Sequence, residues 1–167
     1  IPVVEDNCES IGATYNGQSL GTLGQAGAIS FDQGKMLATG EGGMVLTNDA
    51  AISKYACEYH DHGHENNPDR PRGRDTHSIY GFNYRMTEMQ GAVGKVQLSK
   101  LNRMLEANKE RYQALEDAMG GKFLLRTIPE ECVPTFDTLI LFEPDEHIRK
   151  AVIHTCIHEG FGTKNLP

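Results

Sequence analysis

The spacing of the apolar residues constrains the fold of this chain more than any other feature. Before Asn48 they come in short runs at residues 2–5, 26–31 and 43–47, separated by glycine-rich polar segments. Runs of this length, bounded by glycine, are typical of strands in a buried sheet. After Thr87 the apolar residues recur three and four positions apart, which is the spacing of one helical face. Strands followed by a long helix indicate an α/β fold.

Start and stop signals predict where the helices lie. Asp49 can cap a helix over about residues 50–58. Thr87 and Gln90 fit a capping box, in which each side chain satisfies a free amide at the start of a helix. Two glycines at residues 120–121 end the pattern, so we expect one continuous helix between these signals.

Other local signals predict a hairpin and a second unit. Asn16 and Gly17 form a dipeptide typical of a tight hairpin turn. Residues 138–142 are apolar and are followed by a helical pattern over residues 145–159 that stops at Gly160. This last part predicts the opening of a smaller α/β unit.

Composition excludes several classes of function. The net charge is −7 and the acidic residues are scattered, whereas a nucleic-acid surface needs clustered Lys and Arg, so we expect no nucleic-acid partner. No apolar run reaches the roughly 20 residues of a membrane-spanning helix, and no signal peptide is visible. The four cysteines lie far apart, as expected of reduced thiols in a cytoplasmic protein.

Three polar residues at the ends of predicted strands point to one cofactor. Pyridoxal phosphate (PLP) requires an amine for its aldehyde, an anion for its ring nitrogen and small donors for its phosphate. Lys35, Asp6 and Ser30 supply one of each. Each residue alone has an ordinary interpretation, as a surface charge or a turn residue, and only the combination predicts a PLP site.

Two long motifs resemble a known family. Residues 3–49 (from VVEDNCES to GGMVLTND) and residues 81–98 (GFNYRMTEMQGAVGKVQL) resemble the DegT/DnrJ/EryC1/StrS family of sugar aminotransferases, and residues 159–164 (EGFGTK) resemble its small-domain segment. The resemblance implies an α/β protein of the fold type I PLP-dependent transferases. Because the chain begins without Met inside an apparent buried strand, we expect it to be a fragment.

The resemblance also divides the chain into three parts. Residues 1–100 correspond to the C-terminal part of the large PLP-binding domain and its mixed sheet. Residues 101–121 correspond to a long connecting helix, and residues 122–167 to the beginning of the small C-terminal domain.

Site residues follow from the family motifs. The resemblance implies that Lys35 holds PLP as a Schiff base, that Asp6 faces the ring nitrogen and that Ser30 binds the phosphate. Glu9 stands where many members have a Gln that contacts the ring hydroxyl. Asn83, in the N-Y-R-M motif, is expected to reach the phosphate in a neighbouring subunit, which implies a homodimer with a shared active site.

The expected reaction moves an amino group from an amino acid, glutamate, to a keto sugar or sugar aldehyde. Within the family, residues 30–49 and the DHGHENN segment resemble transaminases that make 8-amino-3,8-dideoxy-octulosonate for surface polysaccharide. A nucleotide-linked keto hexose is the alternative acceptor. Glu9 keeps a sugar 3-dehydrase open, although such relatives replace the lysine with His and this chain keeps Lys35. A non-catalytic truncated domain is the alternative from another class.

Several further patterns have two interpretations. Histidines alternate with acids from His60 to Glu65; they could bind zinc on one face of a strand, but a polar loop is the favoured interpretation, and no metal site is predicted. Glycines at residues 21–27 and 40–43 could cradle a phosphate, on weak evidence. Cys8 is expected to be packed and unreactive. Arg85 is expected to pair with Glu88 or to bind a substrate carboxylate.

Overall fold

The computed structural model describes residues 1–71 and 73–163. Its elements are eight short strands and four helices in this range, in the chain order β1 (Val4–Asp6), β2 (Thr14–Tyr15), β3 (Gln18–Ser19), β4 (Ala26–Ser30), β5 (Gly43–Leu46), α1 (Ala50–Tyr59), α2 (Glu88–Leu98), α3 (Leu101–Met119), β6 (Leu124–Leu125), β7 (Cys132–Val133), β8 (Leu141–Phe142) and α4 (Glu146–His158). None of the described helices combines the length and apolar character needed to cross a membrane.

The three predicted strands of the first part form one mixed sheet in the order β1-β4-β5. β1 and β4 are parallel, with Asp6 opposite Ala28, and β5 returns antiparallel to β4. Since parallel strands end at the same edge, the last residues of β1 and β4, Asp6 and Ser30, lie at one end of the sheet. The alternation of strands and glycine-rich loops in the sequence therefore places the predicted site.

The strand at residues 2–5 is less buried than the sequence predicts. Val3 and Val4 are 52% and 73% exposed. The physical reason is position, because in the described part of the chain β1 pairs with β4 alone and lies at the edge of the sheet. Apolar composition identified the strand correctly but gave the wrong burial.

A tight hairpin joins β2 to β3, as predicted. Asn16 and Gly17 have φ angles of 48° and 74°, the left-handed values that both central residues of a type I′ turn require. β7 pairs antiparallel with the outer side of β2, and the Asn16 amide donates to the carbonyl of Glu131. The chain thus returns from the predicted small-domain segment to the first part of the molecule.

The long helical pattern is divided into two helices, and the prediction of one continuous helix is wrong. The capping box is present, with Thr87 and Gln90 bonded reciprocally. α2 ends at Leu98 and is followed by Ser99, whose hydroxyl donates to the carbonyl of Val96 at 2.7 Å, and α3 begins after Lys100. Ser99 and Lys100 both keep helical backbone angles, so the apolar residues on the two sides of the break retain helical spacing. The sequence pattern therefore does not show the break.

The last part contains α4 and a two-stranded sheet, β6 with β8. Asp145 caps α4 through the amides of His147 and Ile148, and Gly160 follows the helix with a φ of 80°. The helix bounds agree with the prediction. The motif at residues 159–164 extends beyond the described residues at its final position.

The apolar core of the described residues is small. It consists of Ala13, Phe31, Leu37 and Tyr112, and Tyr112 packs edge-on against Phe136 with ring centroids 5.3 Å apart. Phe31 follows β4 directly, so the loop that leaves the sheet towards Lys35 is anchored at its start by a buried ring.

Candidate active site

Lys35 lies on the loop that follows β4. Its amide donates to the carbonyl of Asp32 at 3.0 Å, while the Asp32 carboxylate accepts from the amide of Gly34 at 3.0 Å. The Phe31 amide donates to Gly42, which ties the two ends of the loop together. These bonds form a compact turn, and they hold the lysine near the edge of the sheet where β1 and β4 end.

The amine of Lys35 is paired with a carboxylate. Nζ donates to Oε1 of Glu9 at 2.6 Å, and the lysine side chain is 21% exposed. The hydrogen bond and charge of Glu9 raise the pKa of Lys35 above its ordinary value, with further help from Asp32. The lysine is therefore held as an ammonium group in this arrangement, and the predicted site residues Lys35 and Glu9 are in direct contact.

Asp6 is kept ionised by its neighbours. The neighbouring thiol and backbone amide of Cys8, together with the charge of Lys35, lower the pKa of Asp6, and the amide donates to Oδ1 of Asp6 at 3.2 Å. The proximity and charge of Asp6, together with partial burial, raise the pKa of the Cys8 thiol. The raised pKa agrees with the expectation of an unreactive Cys8, and Asp6 is an anion in the same charged group as Lys35.

Glu5 has a structural function that sequence reasoning missed. Its carboxylate accepts hydrogen bonds from the amides of Gly21, Leu23 and Gly24 at 2.7, 2.6 and 2.6 Å. These bonds lower its pKa. The turn at residues 21–24 is therefore folded around a carboxylate of β1. Because Asp6 is the next residue of β1, this contact also anchors the strand that carries Asp6.

The two glycine clusters are explained by packing. A Cβ at Gly27 would lie 2.6 Å from the Cα of Gly21, so the turn approaches β4 as closely as a backbone can. The amides at residues 21–24 already bind Glu5, which removes them as a phosphate cradle. In the second cluster, the carbonyl of Glu41 accepts from the hydroxyl of Thr39 and from the side-chain amide of Gln90, both at 2.7 Å. These contacts join the loop to α2.

Asn83 lies in a separate group with Arg85 and Asp61. The Nε of Arg85 donates to Oδ1 of Asn83 at 3.0 Å and lies 3.2 Å from Oδ1 of the buried Asp61. Asp61 and Asn83 also form a backbone bridge. The expected pairing of Arg85 with Glu88 is wrong, because the chain reversal at residues 61–83 brings a closer carboxylate to the guanidinium.

The histidines of residues 60–65 do not share one face. His60 ends α1, with Nδ1 2.7 Å from the carbonyl of Cys57. His62 and Gly63 have φ angles of 58° and 83° and turn the chain. The loop interpretation is confirmed, and the strand geometry imagined for zinc binding is wrong because these left-handed residues break the alternation.

The residues at the sheet edge fit the chemistry of PLP. Asp6 supplies an anion at the end of β1, and Ser30 supplies a hydroxyl group at the end of β4. Lys35 supplies an amine on the loop after β4. The Ser30 oxygen accepts from the amide of Asp32 at 3.3 Å, so its proton remains available for donation. The carboxylate at Asp6 matches the need of a pyridine nitrogen for an anion.

Comparison with protein families gives one matching model, and it covers almost the whole chain. The model of the DegT/DnrJ/EryC1/StrS aminotransferase family matches residues 1–165. GDP-perosamine synthase of Caulobacter vibrioides is 39% identical over 107 residues, which are 64% of this chain and 28% of that protein. The chain therefore spans under a third of the length of this curated relative.

Solved structures agree with these sequence matches. The aminotransferase of Psychrobacter cryohalolentis is 33% identical, with a TM-score of 0.73 over 82% of this chain and 39% of its own. The Escherichia coli GDP-4-keto-6-deoxy-D-mannose-3-dehydratase with bound hydrated PLP is 28% identical, with a TM-score of 0.81 over 96% of this chain and 45% of its own. The predicted α/β fold of the type I PLP-dependent transferases is confirmed.

Proposed function

The chain belongs to the DegT/DnrJ/EryC1/StrS aminotransferase family, and from this premise we propose that it supplies the cofactor-binding residues of a PLP-dependent sugar aminotransferase. The observation that carries the proposal is the position of the Lys35 amine, 2.6 Å from Glu9 and within the charge field of Asp6. An amine held among carboxylates at the end of parallel strands is suited to receive an aldehyde and to move protons.

Each residue has a role in this proposal. Lys35 would attach the cofactor covalently, Asp6 would face the ring nitrogen, and the hydroxyl of Ser30 would donate to the phosphate. When bound, PLP supplies an electron-accepting ring that stabilises negative charge on the carbon beside the amine. The proximity of Cys8 lowers the pKa of Asp6, and an anion at that position favours the protonated ring.

Glu9 controls the proton on Lys35. In the structure it holds the lysine as an ammonium group, which is not nucleophilic. Lys35 must lose a proton before its amine can attack, and the Glu9 carboxylate opposes that loss because it stabilises the ammonium form. The amino group of the donor would then replace Lys35 at the aldehyde carbon, and the released amine of Lys35 would act as the base that removes and returns a proton on the substrate carbon.

The proposed substrates are glutamate as donor and a keto sugar or sugar aldehyde as acceptor. We place 8-oxo-3,8-dideoxy-octulosonate first, on the resemblance in residues 30–49 and the DHGHENN segment. A nucleotide-linked keto hexose is the second candidate, favoured by the similarity to GDP-perosamine synthase. Dehydration is less consistent with this chain, because Lys35 supplies an amine where dehydrases of the family have His.

The proposed assembly is a homodimer with a shared active site. Asn83 is exposed and lies in the group with Arg85 and Asp61, which fixes its side chain at the surface. An exposed amide held by a guanidinium is suited to meet a phosphate of another subunit. Non-catalytic use of the fold is the alternative that the following experiment excludes or establishes.

The test is covalent capture of the cofactor. The purified chain is mixed with PLP, reduced with borohydride and digested, and the pyridoxyl mass is located by mass spectrometry. We expect the label on Lys35 and its loss in Lys35→Ala. Lys150→Ala is the matched control, because Lys150 also pairs with a glutamate, Glu146, at 2.6 Å but lies on α4.

The outcomes separate the alternatives. Label on Lys35 that Lys150→Ala retains supports the proposal, and amino transfer from glutamate to each candidate acceptor then ranks the substrates. Label spread over several lysines, or a Lys35→Ala variant that is labelled like the unaltered chain, would remove Lys35 from its role.

A further inference from the structure

A second group of chemically active side chains lies in the loop between α1 and α2. It consists of His64, Asp75 and His77, which we name the His64 cluster. One ligand-type atom from each residue lies within 4.8 Å of the others. The group shares no residue with the candidate PLP site.

The loop backbone brings the three residues together. His64 and His77 form an isolated antiparallel bridge, and the amide of Glu65 donates to the carbonyl of Thr76 at 3.2 Å. The other carboxylate oxygen of Asp75 accepts from the amide of Asn66 at 3.1 Å. Two segments eleven to thirteen residues apart are therefore held in register before any ligand binds.

Asp75 and His64 are sheltered from water. Their side chains are 2% and 12% exposed, while His77 is exposed and closes the cluster on the solvent side. A carboxylate with so little exposure is costly unless a positive group or a metal compensates it. The rings of His64 and His77 meet edge to face with centroids 4.2 Å apart.

The Nδ1 atom of His64 has two polar atoms within hydrogen-bond distance, but it can form only one hydrogen bond. This nitrogen lies 2.8 Å from Oδ1 of Asp75 and 2.9 Å from Nε2 of His77. An imidazole nitrogen has one in-plane position, so it either donates one hydrogen bond or accepts one. A cation in the centre would satisfy all three atoms through their lone pairs.

We propose that the His64 cluster binds a zinc ion through Nδ1 of His64, Oδ1 of Asp75 and Nε2 of His77, with water as the fourth ligand. Imidazole nitrogen and carboxylate oxygen are standard zinc ligands. At zinc–ligand distances of about 2.0–2.2 Å, tetrahedral ligands lie roughly 3.3 Å apart, so Nδ1 of His64, at 2.8 Å from Asp75 and 2.9 Å from His77, needs to move only about half an ångström from each of them. The ion would fasten residue 64 to residues 75–77 and fix the loop that carries Asn83.

The test is metal binding by the purified chain after treatment with EDTA. Calorimetric titration with zinc chloride is expected to give one equivalent of bound metal. His77→Asn should weaken the zinc affinity by about 100-fold. Loss of a residue that only supports a metal ligand already costs up to about this much, and His77 is proposed as a ligand itself. Asp75→Asn should weaken it too, since the neutral amide keeps the size of the side chain but not its charge.

The control variants are chosen to separate this site from chance binding. His147→Asn removes a histidine of α4 and Cys57→Ser removes an exposed thiol, and both should bind zinc like the unaltered chain. Cobalt chloride used in place of zinc should give visible bands of a four-coordinate site without a thiolate charge-transfer band. Far-ultraviolet circular dichroism verifies that every variant is folded.

Three results would overturn the proposal. The first is no zinc binding by the unaltered chain. The second is a zinc affinity in His77→Asn and Asp75→Asn equal to that of the unaltered chain, and the third is loss of zinc binding in Cys57→Ser. Because neither readout involves PLP, failure here leaves the aminotransferase proposal intact, and failure of cofactor capture leaves the zinc site intact.

Discussion

The two polar regions of this molecule are built in different ways. The strand edge, residues 4–35, uses side chains that bind backbone groups of a sheet and its turns, as Glu5 does at three amides. The histidine loop, residues 60–77, uses side chains that bind one another, as His64 does with Asp75 and His77. Hydrogen bonds to the backbone hold a charged side chain in place even where it faces water. In a cluster of side chains, each member is held only by the other members.

The largest expected effect in this comparison is at Gly27. Gly27→Ala would place a methyl group 2.6 Å from the Cα of Gly21, and the backbone must shift to make room. We expect a loss of more than about 3 kcal/mol in the free energy of unfolding, measured by urea denaturation. Gly91→Ala, where an added Cβ meets nothing, should instead gain about 0.5–1 kcal/mol in α2. Equal losses in both variants would contradict the close-approach explanation.

Removing the carboxylate of Glu5 tests the frame directly. Glu5→Ala leaves three amides of the turn without their acceptor, and we expect the free energy of unfolding to fall by about 2 kcal/mol. Glu9→Ala is the control, because its ion pair is exposed and contributes little to stability. If Glu5→Ala lowers the free energy of unfolding no more than Glu9→Ala does, water replaces the Glu5 carboxylate at the three amides without cost.

The stabilisation by Glu5 should depend on pH. Its pKa in the folded state is below the ordinary value of 4.5, so its ionised form favours folding. This contribution is full above about pH 4.5 and is lost as the pH falls through the lowered pKa. Urea denaturation from pH 7 to pH 3 should show a difference between the unaltered chain and Glu5→Gln that shrinks in acid. A constant difference would mean that charge is not involved.

Glu9→Gln should change the reactivity of Lys35 rather than the stability of the fold. Without the carboxylate, the pKa of Lys35 falls towards its ordinary value, and more of the amine is unprotonated at a given pH. Acetylation of Lys35 by acetic anhydride, followed by mass spectrometry, should be faster in Glu9→Gln. Glu130→Gln is the control, and the acetylation rate of Lys150 serves as an internal standard. A slower reaction at Lys35 would reverse the assigned role of Glu9.

The smallest effect is expected in the histidine loop. Gly73 has a φ of 85°, but an added Cβ there meets nothing within 4 Å. Gly73→Ala should therefore cost only the strain of the left-handed backbone, about 1 kcal/mol. Comparison with Gly27→Ala in the same urea assay separates the cost of a steric clash, at Gly27, from the cost of a left-handed backbone, at Gly73. A loss as large as that of Gly27→Ala would show hidden packing in the loop.

Much of the secondary structure could be predicted from the sequence. The hairpin at Asn16 and Gly17, the Asp49 cap of α1 and the capping box at Thr87 are all present, since each depends on residues within a few positions of one another. The family motifs also predicted Lys35, Asp6, Glu9 and Ser30 as site residues, and the structure places the first three in one charged group.

Other features were outside the reach of local patterns. The break at Ser99 leaves the apolar spacing unchanged, so periodicity missed it. Asp75 and His77 lie beyond the histidine-rich segment, and only their own alternation (DTH) gave a signal. The role of Glu5 had no signal, because its three amides follow sixteen to nineteen residues later.

The sequence by itself determined most of the elements and their caps, and it predicted the residues that are proposed to carry the chemistry. Only the tertiary structure decided the pairs: Lys35 with Glu9, Arg85 with Asp61, and His64 with Asp75 and His77. The physical reason is range. Capping and periodicity act within one or two turns of the chain, whereas these pairs form across 11 to 26 residues, where strand register and left-handed loop residues set which side chains meet.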